Sequence, residues 1–237
     1  MEKKKIILDV DTGHDDAAAI MFAAGSPAID IVGITVTAGN QTLEKTLLNT
    51  LNLCSELHIK TPVFAGLSKP LLREQITAGD IHGETGFDGP VFSPLKKKAD
   101  RRRAVEFIIS AILDEPGEIT LVATGPLTNI AAAVRMEPGI TGAVKNIVFM
   151  GGSLGRGNIT PSAEFNIFAD PEAADIVFRS GAPLVMVPLD VTTKVALDDP
   201  MLNFLRRNDN SAVSIFAASM EHYTRACLSY SGECPAM

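Results

Sequence analysis

Apolar and polar positions follow two different periods along the chain, and the switches between them predict the order of elements. Short runs rich in Val and Ile at 5–10, 30–37, 62–65, 118–123, 144–150 and 183–189 read as buried strands. Between them, apolar residues recur at helical spacing over 15–25, 42–57, 102–114, 126–136, 171–180 and 211–228. Pro126 and Pro171 are expected in first helical turns, where the ring's fixed φ is already suitable and the missing N–H has no partner to lose. Strand alternating with helix implies right-handed crossovers and an open, mainly parallel, doubly wound α/β sheet. No repeat, low-complexity tract or linker interrupts the pattern, so a single domain over 1–237 is expected.

Small and polar residues gather where the strands end: "DVDTGHDD" (9–16), "TAGN" (37–40), "ATGPLTN" (123–129), "MGGSLGRGN" (150–158) and "LDVT" (189–192). Ligands of open α/β sheets bind outside the carboxyl ends of the strands, so these segments should converge on one crevice. The Gly-rich stretch "AGDIHGETGFDGP" (78–90) has no period and reads as a flexible loop over that crevice. Taken alone, His82 within it reads as a solvated side chain.

The first of these segments changes the picture most. Asp9, Asp11, Asp15 and Asp16 put four carboxylates within eight residues, and such density raises their pKa values unless a cation offsets the repulsion. Asp15 and Asp16 could merely compensate a helix dipole, which would leave Asp9 and Asp11 without a task. Oxygen donors suit Ca²⁺ or Mg²⁺ and not Zn²⁺ or Fe²⁺, although the spacing is not that of an EF-hand.

Composition narrows the partners. A formal net charge of -7 argues against a nucleic-acid footprint, and the basic runs at 96–98 and 101–103 read as a solvated face. Cys54, Cys227 and Cys234 lack CxxC spacing, against a disulfide framework or thiolate metal site and in keeping with a reducing cytoplasm. The apolar N-terminal stretch ends at Asp9, too early for a signal sequence, and no run is long enough to span a membrane.

"ILDVDTG" has the strand-end aspartates of the haloacid dehalogenase phosphatases, a Mg²⁺-dependent reading whose nearest downstream echo is "LDDP" at 197. It more closely resembles the signature of the nucleoside hydrolases, with Thr12 where that family usually has Pro. "TVTAGNQTLEKTLLN", "AGDIHGETGFDGP", "TLVATGPLTNIAAA", "IVFMGGSLGRGNITPSAEFNIFADPEAADIVF" and "VMVPLDVT" resemble that family's segments in the family's order. "IHGETG" with "GPVF", and "PSAEFNIFADPEAA", look most similar to the bacterial pyrimidine-preferring ribonucleoside hydrolases of the inosine-uridine preferring type.

The resemblance implies a Rossmann-like nucleoside hydrolase fold and hydrolysis of the N-ribosidic bond of ribonucleosides to free base and ribose, in nucleoside salvage. It implies Asp11, Asp16 and the Thr124 backbone carbonyl as Ca²⁺ ligands, with Asp11 also the base for the attacking water. Asp15, Asn40, Asn158, Glu164 and Asn166 would surround the ribose, with Phe165 against base or ribose and His82 on the nucleobase side. Glu164 and Asn166, two apart, would face one side of an extended segment. A cytoplasmic homo-oligomer, dimer or tetramer, is implied, with no nucleic-acid or membrane partner. The family continues beyond the point matched by Met237 with a further ligand and a leaving-group acid, so a weakened catalyst, or a nucleoside-binding remnant, is the competing expectation.

Overall fold

The computed structural model describes residues 2–195, 199–207 and 210–231. Along the chain run β1 (Lys4–Val10), α1 (His14–Gly25), β2 (Ile29–Val36), α2 (Leu43–Glu56), β3 (Val63–Ala65), α3 (Gly79–His82), α4 (Ala104–Asp114), β4 (Thr120–Ala123) and α5 (Thr128–Met136). They continue with α6 (Ile140–Ala143), β5 (Asn146–Met150), α7 (Phe165–Ala169), α8 (Pro171–Phe178), β6 (Leu184–Val187), α9 (Leu189–Thr192), α10 (Asp199–Leu205) and α11 (Ser211–Ser231). The strands form one sheet in the order β3-β2-β1-β4-β5-β6, and every neighbouring pair is parallel. The chain therefore starts in the middle, winds to one edge, and returns to build the other half beside β1.

Residue parity on β1 explains why both faces are covered. Ile6, Leu8 and Val10 pack into one core with Ala17 and Ile20 of α1, Leu51 and Leu53 of α2, and Ile215 of α11. Ile7 points the other way, into a second core with Ile108 and Ile112 of α4 and Ile130 of α5. A strand buried on two faces reads as a continuous apolar run, which is why β1 is legible by eye. The one polar interruption, Asp9, lies on the Ile7 side by the same alternation. At the carboxyl ends of β1 and β4 the winding reverses and the two halves of the chain part, the place where open α/β sheets bind their ligands.

Pro126 departs from expectation: α5 starts only at Thr128, with Leu127 as its N-cap. Residues 124–127 form a loop instead, since Gly125 packs directly on the Asp11 carboxylate and a helix begun earlier would carry it away. Pro171 does occupy the first turn of α8. The phosphatase-like "LDDP" begins at 197, and Cys234 follows α11; residues 197, 198 and 234 lie outside the described residues. Among the described residues no helix is long and apolar enough to cross a membrane.

Candidate active site

β1 ends at Val10 and the chain turns through Asp11, Thr12 and Gly13 into α1. Asp11 is buried; its Oδ2 accepts the Asn40 N–H at 2.7 Å, while its Oδ1 is buried without a partner. Asp16 lies one turn into α1. Its Oδ1 accepts the Thr124 hydroxyl at 2.5 Å, and its Oδ2 accepts the Gly13 N–H at 2.9 Å and the Asn40 side-chain amide at 3.3 Å. Asp16 thus caps its own helix while still facing Asp11. Asp15 leaves its Oδ1 buried and unpartnered too.

Three carboxylates crowded this way are unfavourable as anions. Burial, then the Asp16 charge, pushes Asp11 well above the carboxylate range; burial, then Asp15, pushes Asp16 up to about 6. Burial also raises Asp15. A cation would remove that penalty, and orphaned buried oxygens are where one would bind. Among the described residues no three His, Cys, Asp or Glu side chains group as a metal cage, so a cation here would rest on two carboxylates and uncharged oxygens. That set suits a hard cation. Space around Asp11 depends on two glycines, since a Cβ at Gly39 would overlap Asp11 Oδ2 and one at Gly125 would lie 2.5 Å from Oδ1.

Asp9 does not belong to this group, contrary to the even treatment of the four carboxylates in the sequence. It turns to the other face, where its Oδ1 accepts the Thr35 hydroxyl at 2.5 Å and the Asn129 amide at 2.9 Å. Burial pushes it up to about 7. It ties β1 to β2 and to the first turn of α5, while its backbone carbonyl accepts the Thr124 N–H at 2.9 Å.

The far wall comes from β4, β5 and α7. The Thr124 carbonyl accepts one hydrogen bond at 2.8 Å from the Asn166 amide, leaving a second lone pair for another partner. Glu164 and Asn166 are not on an extended segment: Glu164 is the N-cap of α7, accepting the N–H groups of Asn166 and Ile167. A carboxylate at a cap outcompetes extension because the helix's first donors have no other acceptor. Glu164 also takes the Gly152 N–H at 2.9 Å, joining α7 to the loop after β5, and burial raises its pKa with the Asp15 charge contributing. Asn158 is exposed and accepts the Phe165 N–H at 2.8 Å, so it shapes the loop that presents half-buried Phe165. Asp190 likewise braces a loop, accepting the Leu154 N–H at 2.8 Å.

Asn40 binds the acidic cluster twice, its backbone N–H donating to Asp11 and its side-chain amide to Asp16. His82 is not solvated. It ends α3 and is buried over Gly13, with its Nδ1 3.1 Å from the His14 Nδ1. The rings of His14 and His82 stack, and Tyr223 of α11 stacks on both. Burial first, then neighbouring charge, lowers His14 to about 3; burial lowers His82 to about 4. His14 is the residue that sequence reasoning missed. It sits inside the acidic motif, yet its neighbours come from 68 residues and more away, and no local pattern carries them.

The family described as inosine-uridine preferring nucleoside hydrolase matches residues 6–236. A pyrimidine-specific ribonucleoside hydrolase, RihB, of Escherichia coli strain SE11 is 56% identical over 220 residues, covering 93% of this chain and 70% of that protein. Among solved structures, a purine-preferring ribonucleoside hydrolase from Gardnerella vaginalis superposes with a TM-score of 0.94 at 36% identity, covering 99% of this chain and 76% of the other. A plant nucleoside hydrolase superposes with a TM-score of 0.91, also at 36% identity, covering 99% and 74%.

Proposed function

Because this chain belongs to the inosine-uridine preferring nucleoside hydrolase family, we propose that its crevice hydrolyses the N-ribosidic bond of pyrimidine ribonucleosides such as uridine and cytidine. Ribonucleoside hydrolysis follows from the family; the pyrimidine preference rests on the 56% identity to RihB, since a purine-preferring relative shares the same backbone. The observation that carries the reading is Asp11 Oδ1, a buried, unpartnered carboxylate oxygen at the end of the central strand.

The residues divide the reaction between them. Water attacks the anomeric carbon while the bond to the base nitrogen breaks and its electrons leave with the base. Asp11 takes the proton that the water sheds, a role suited to a carboxylate whose basicity burial has raised. Asp15, Glu164 and Asn166 ring the sugar, and the two carboxylates favour a ribose that becomes cationic as the bond opens. Asn40 holds Asp11 and Asp16 in register, and Asn158 orders the turn that brings Phe165 to the rim. His82 faces the nucleobase.

Ca²⁺, when held by Asp11, Asp16 and the Thr124 carbonyl, would supply positive charge that acidifies water and grips the ribose diol. Assembly as a homo-oligomer, where side chains such as Phe22 and Leu72 at 75% and 80% exposure would find cover, completes the reading.

The test is release of free ribose from uridine, cytidine and inosine, with Ca²⁺ or with a chelator. Ribose release that is fastest with the pyrimidines and lost with chelator is expected. Faster cleavage of inosine would overturn the base preference. Equal binding of ribo- and 2'-deoxyribonucleosides would overturn the grip on the diol.

A further inference from the structure

His14 Nε2 lies 2.9 Å from the Asp88 backbone carbonyl. A carbonyl can only accept, so the proton of the neutral His14 ring is on Nε2, and Nδ1 carries a lone pair. That lone pair faces His82 Nδ1 at 3.1 Å. Two bare nitrogens at that distance would repel, so the proton between them belongs to His82 Nδ1. A cationic His14 would resolve the contact in the other sense. It would, however, put a charge among the rings of His82, Phe87, His222 and Tyr223, with no carboxylate bonded to it among the described residues. The His14 backbone N–H also approaches His82 Nδ1, at 3.5 Å, which is too long to set the tautomer against a 3.1 Å ring contact.

The anchor is itself braced. Asp88 folds back on its own turn, its carboxylate accepting the N–H groups of Glu84 and Thr85 at 3.1 Å each and its N–H donating to the His82 carbonyl at 3.3 Å. The carbonyl that orients His14 and the imidazole that His14 orients therefore move as one piece.

We propose that His14 is a positioning residue that fixes the tautomer of His82, holding its proton on Nδ1 and leaving Nε2 as the basic nitrogen. This rests on the placement of His82 at the nucleobase side. Its consequence is directional: in the resting site Nε2 accepts a hydrogen bond, as from a ring N–H or an exocyclic amine of a pyrimidine, and can donate a proton only after taking one. His82 is thus a reader of donor groups first and an acid second.

Nitrogen-15 NMR of the imidazoles in the full chain tests this, and with only four histidines in the sequence assignment by single substitution is direct. In the parent at neutral pH we expect His82 protonated on Nδ1 and His14 on Nε2. In His14→Phe, which has no lone pair to offer, the His82 proton moves to Nε2 in at least part of the population, and kcat/KM for uridine falls tenfold or more. His14→Gln, whose Oε1 can accept from Nδ1–H, keeps the parent tautomer and recovers most of that loss. A parent His82 protonated on Nε2, or a His14→Phe spectrum unchanged at His82, overturns the proposal. Should His14→Phe not fold, the parent and His14→Gln spectra still decide it. A protein that releases no ribose yet shows the expected tautomers supports this inference while sinking the hydrolase reading.

Discussion

In the proposed reaction Asp11 answers two demands at once, and they separate in mutants. Asp11→Asn would remove both the proposed anionic ligand and the proposed base, so ribose release should fall at least about 10²-fold, as for other positioned acid–base groups. The fold should keep or gain thermal stability, because the amide removes a charge that burial and Asp16 disfavour. Turnover within a few-fold of the parent at saturating Ca²⁺ would show that another group is the base. Gly39→Ala reaches the same oxygen from outside: its methyl would overlap Asp11 Oδ2, so loss of metal binding should accompany loss of turnover while the far wall stays intact. Asp9 gives a pH signature. Its carboxyl titrates near 7 in the folded protein against 3.8 in a free chain, so the folded state holds the extra proton between those values. The stabilisation is fully present below the lower value and is lost as pH rises through the higher one. With chelator present, Asp9→Asn should therefore flatten the decline of Tm as pH rises from about 5 to about 8. An unchanged slope would place the titration elsewhere.

Among the elements, α7 leans heavily on a single side chain. It has five residues, and Glu164 satisfies two of its first N–H groups as well as that of Gly152. Glu164→Ala should cost about 1 kcal/mol for the cap alone, a Tm shift of about 2–4 °C in a chain of this size. Glu164→Gln keeps an acceptor and should lose less stability, yet lower kcat/KM by about 10²-fold through the charge lost from the proposed ribose site. How much of each element is legible in the sequence follows from its length. Strands such as β1 and helices such as α4 announce themselves because several consecutive residues share one environment. A one-turn helix such as α3, or a five-residue one such as α7, is too short to show a period, so 78–90 looked like a mobile loop and "AEFNI" like an extended stretch. The acidic cluster was legible in part: Asp11, Asp15 and Asp16 flank one turn, and their shared charge is visible in the sequence. Asp9 could have been set apart by parity with Leu8 and Val10. The burial of His82 could not, since its cover comes from α1 and α11.

For the whole molecule, the central prediction is linkage between cation and stability. Ca²⁺ at about 100 times its Kd should add about 2.7 kcal/mol and raise Tm by several degrees, and the shift should vanish in Asp11→Asn. It should be larger at pH 8 than at pH 5, because the raised pKa values of Asp11 and Asp16 leave protons competing for the same oxygens at the lower pH. A pH-independent shift would mean the ion binds elsewhere. The strand order carries a further consequence, one of timing. β1 is made first but lies at the centre, and it meets β4 only after more than a hundred further residues have left the ribosome. Thr124, which bonds Asp16 across 108 residues, arrives with that late strand. The β1-β2-β3 half can pair as it emerges, with its acidic turn still in water, where like charges are screened. Only when β4 docks does the turn become dry and its repulsion strong, so the step that completes the sheet is also the step that most needs a cation. Refolding in Ca²⁺ should therefore speed the late, long-range phase and leave the early one unchanged.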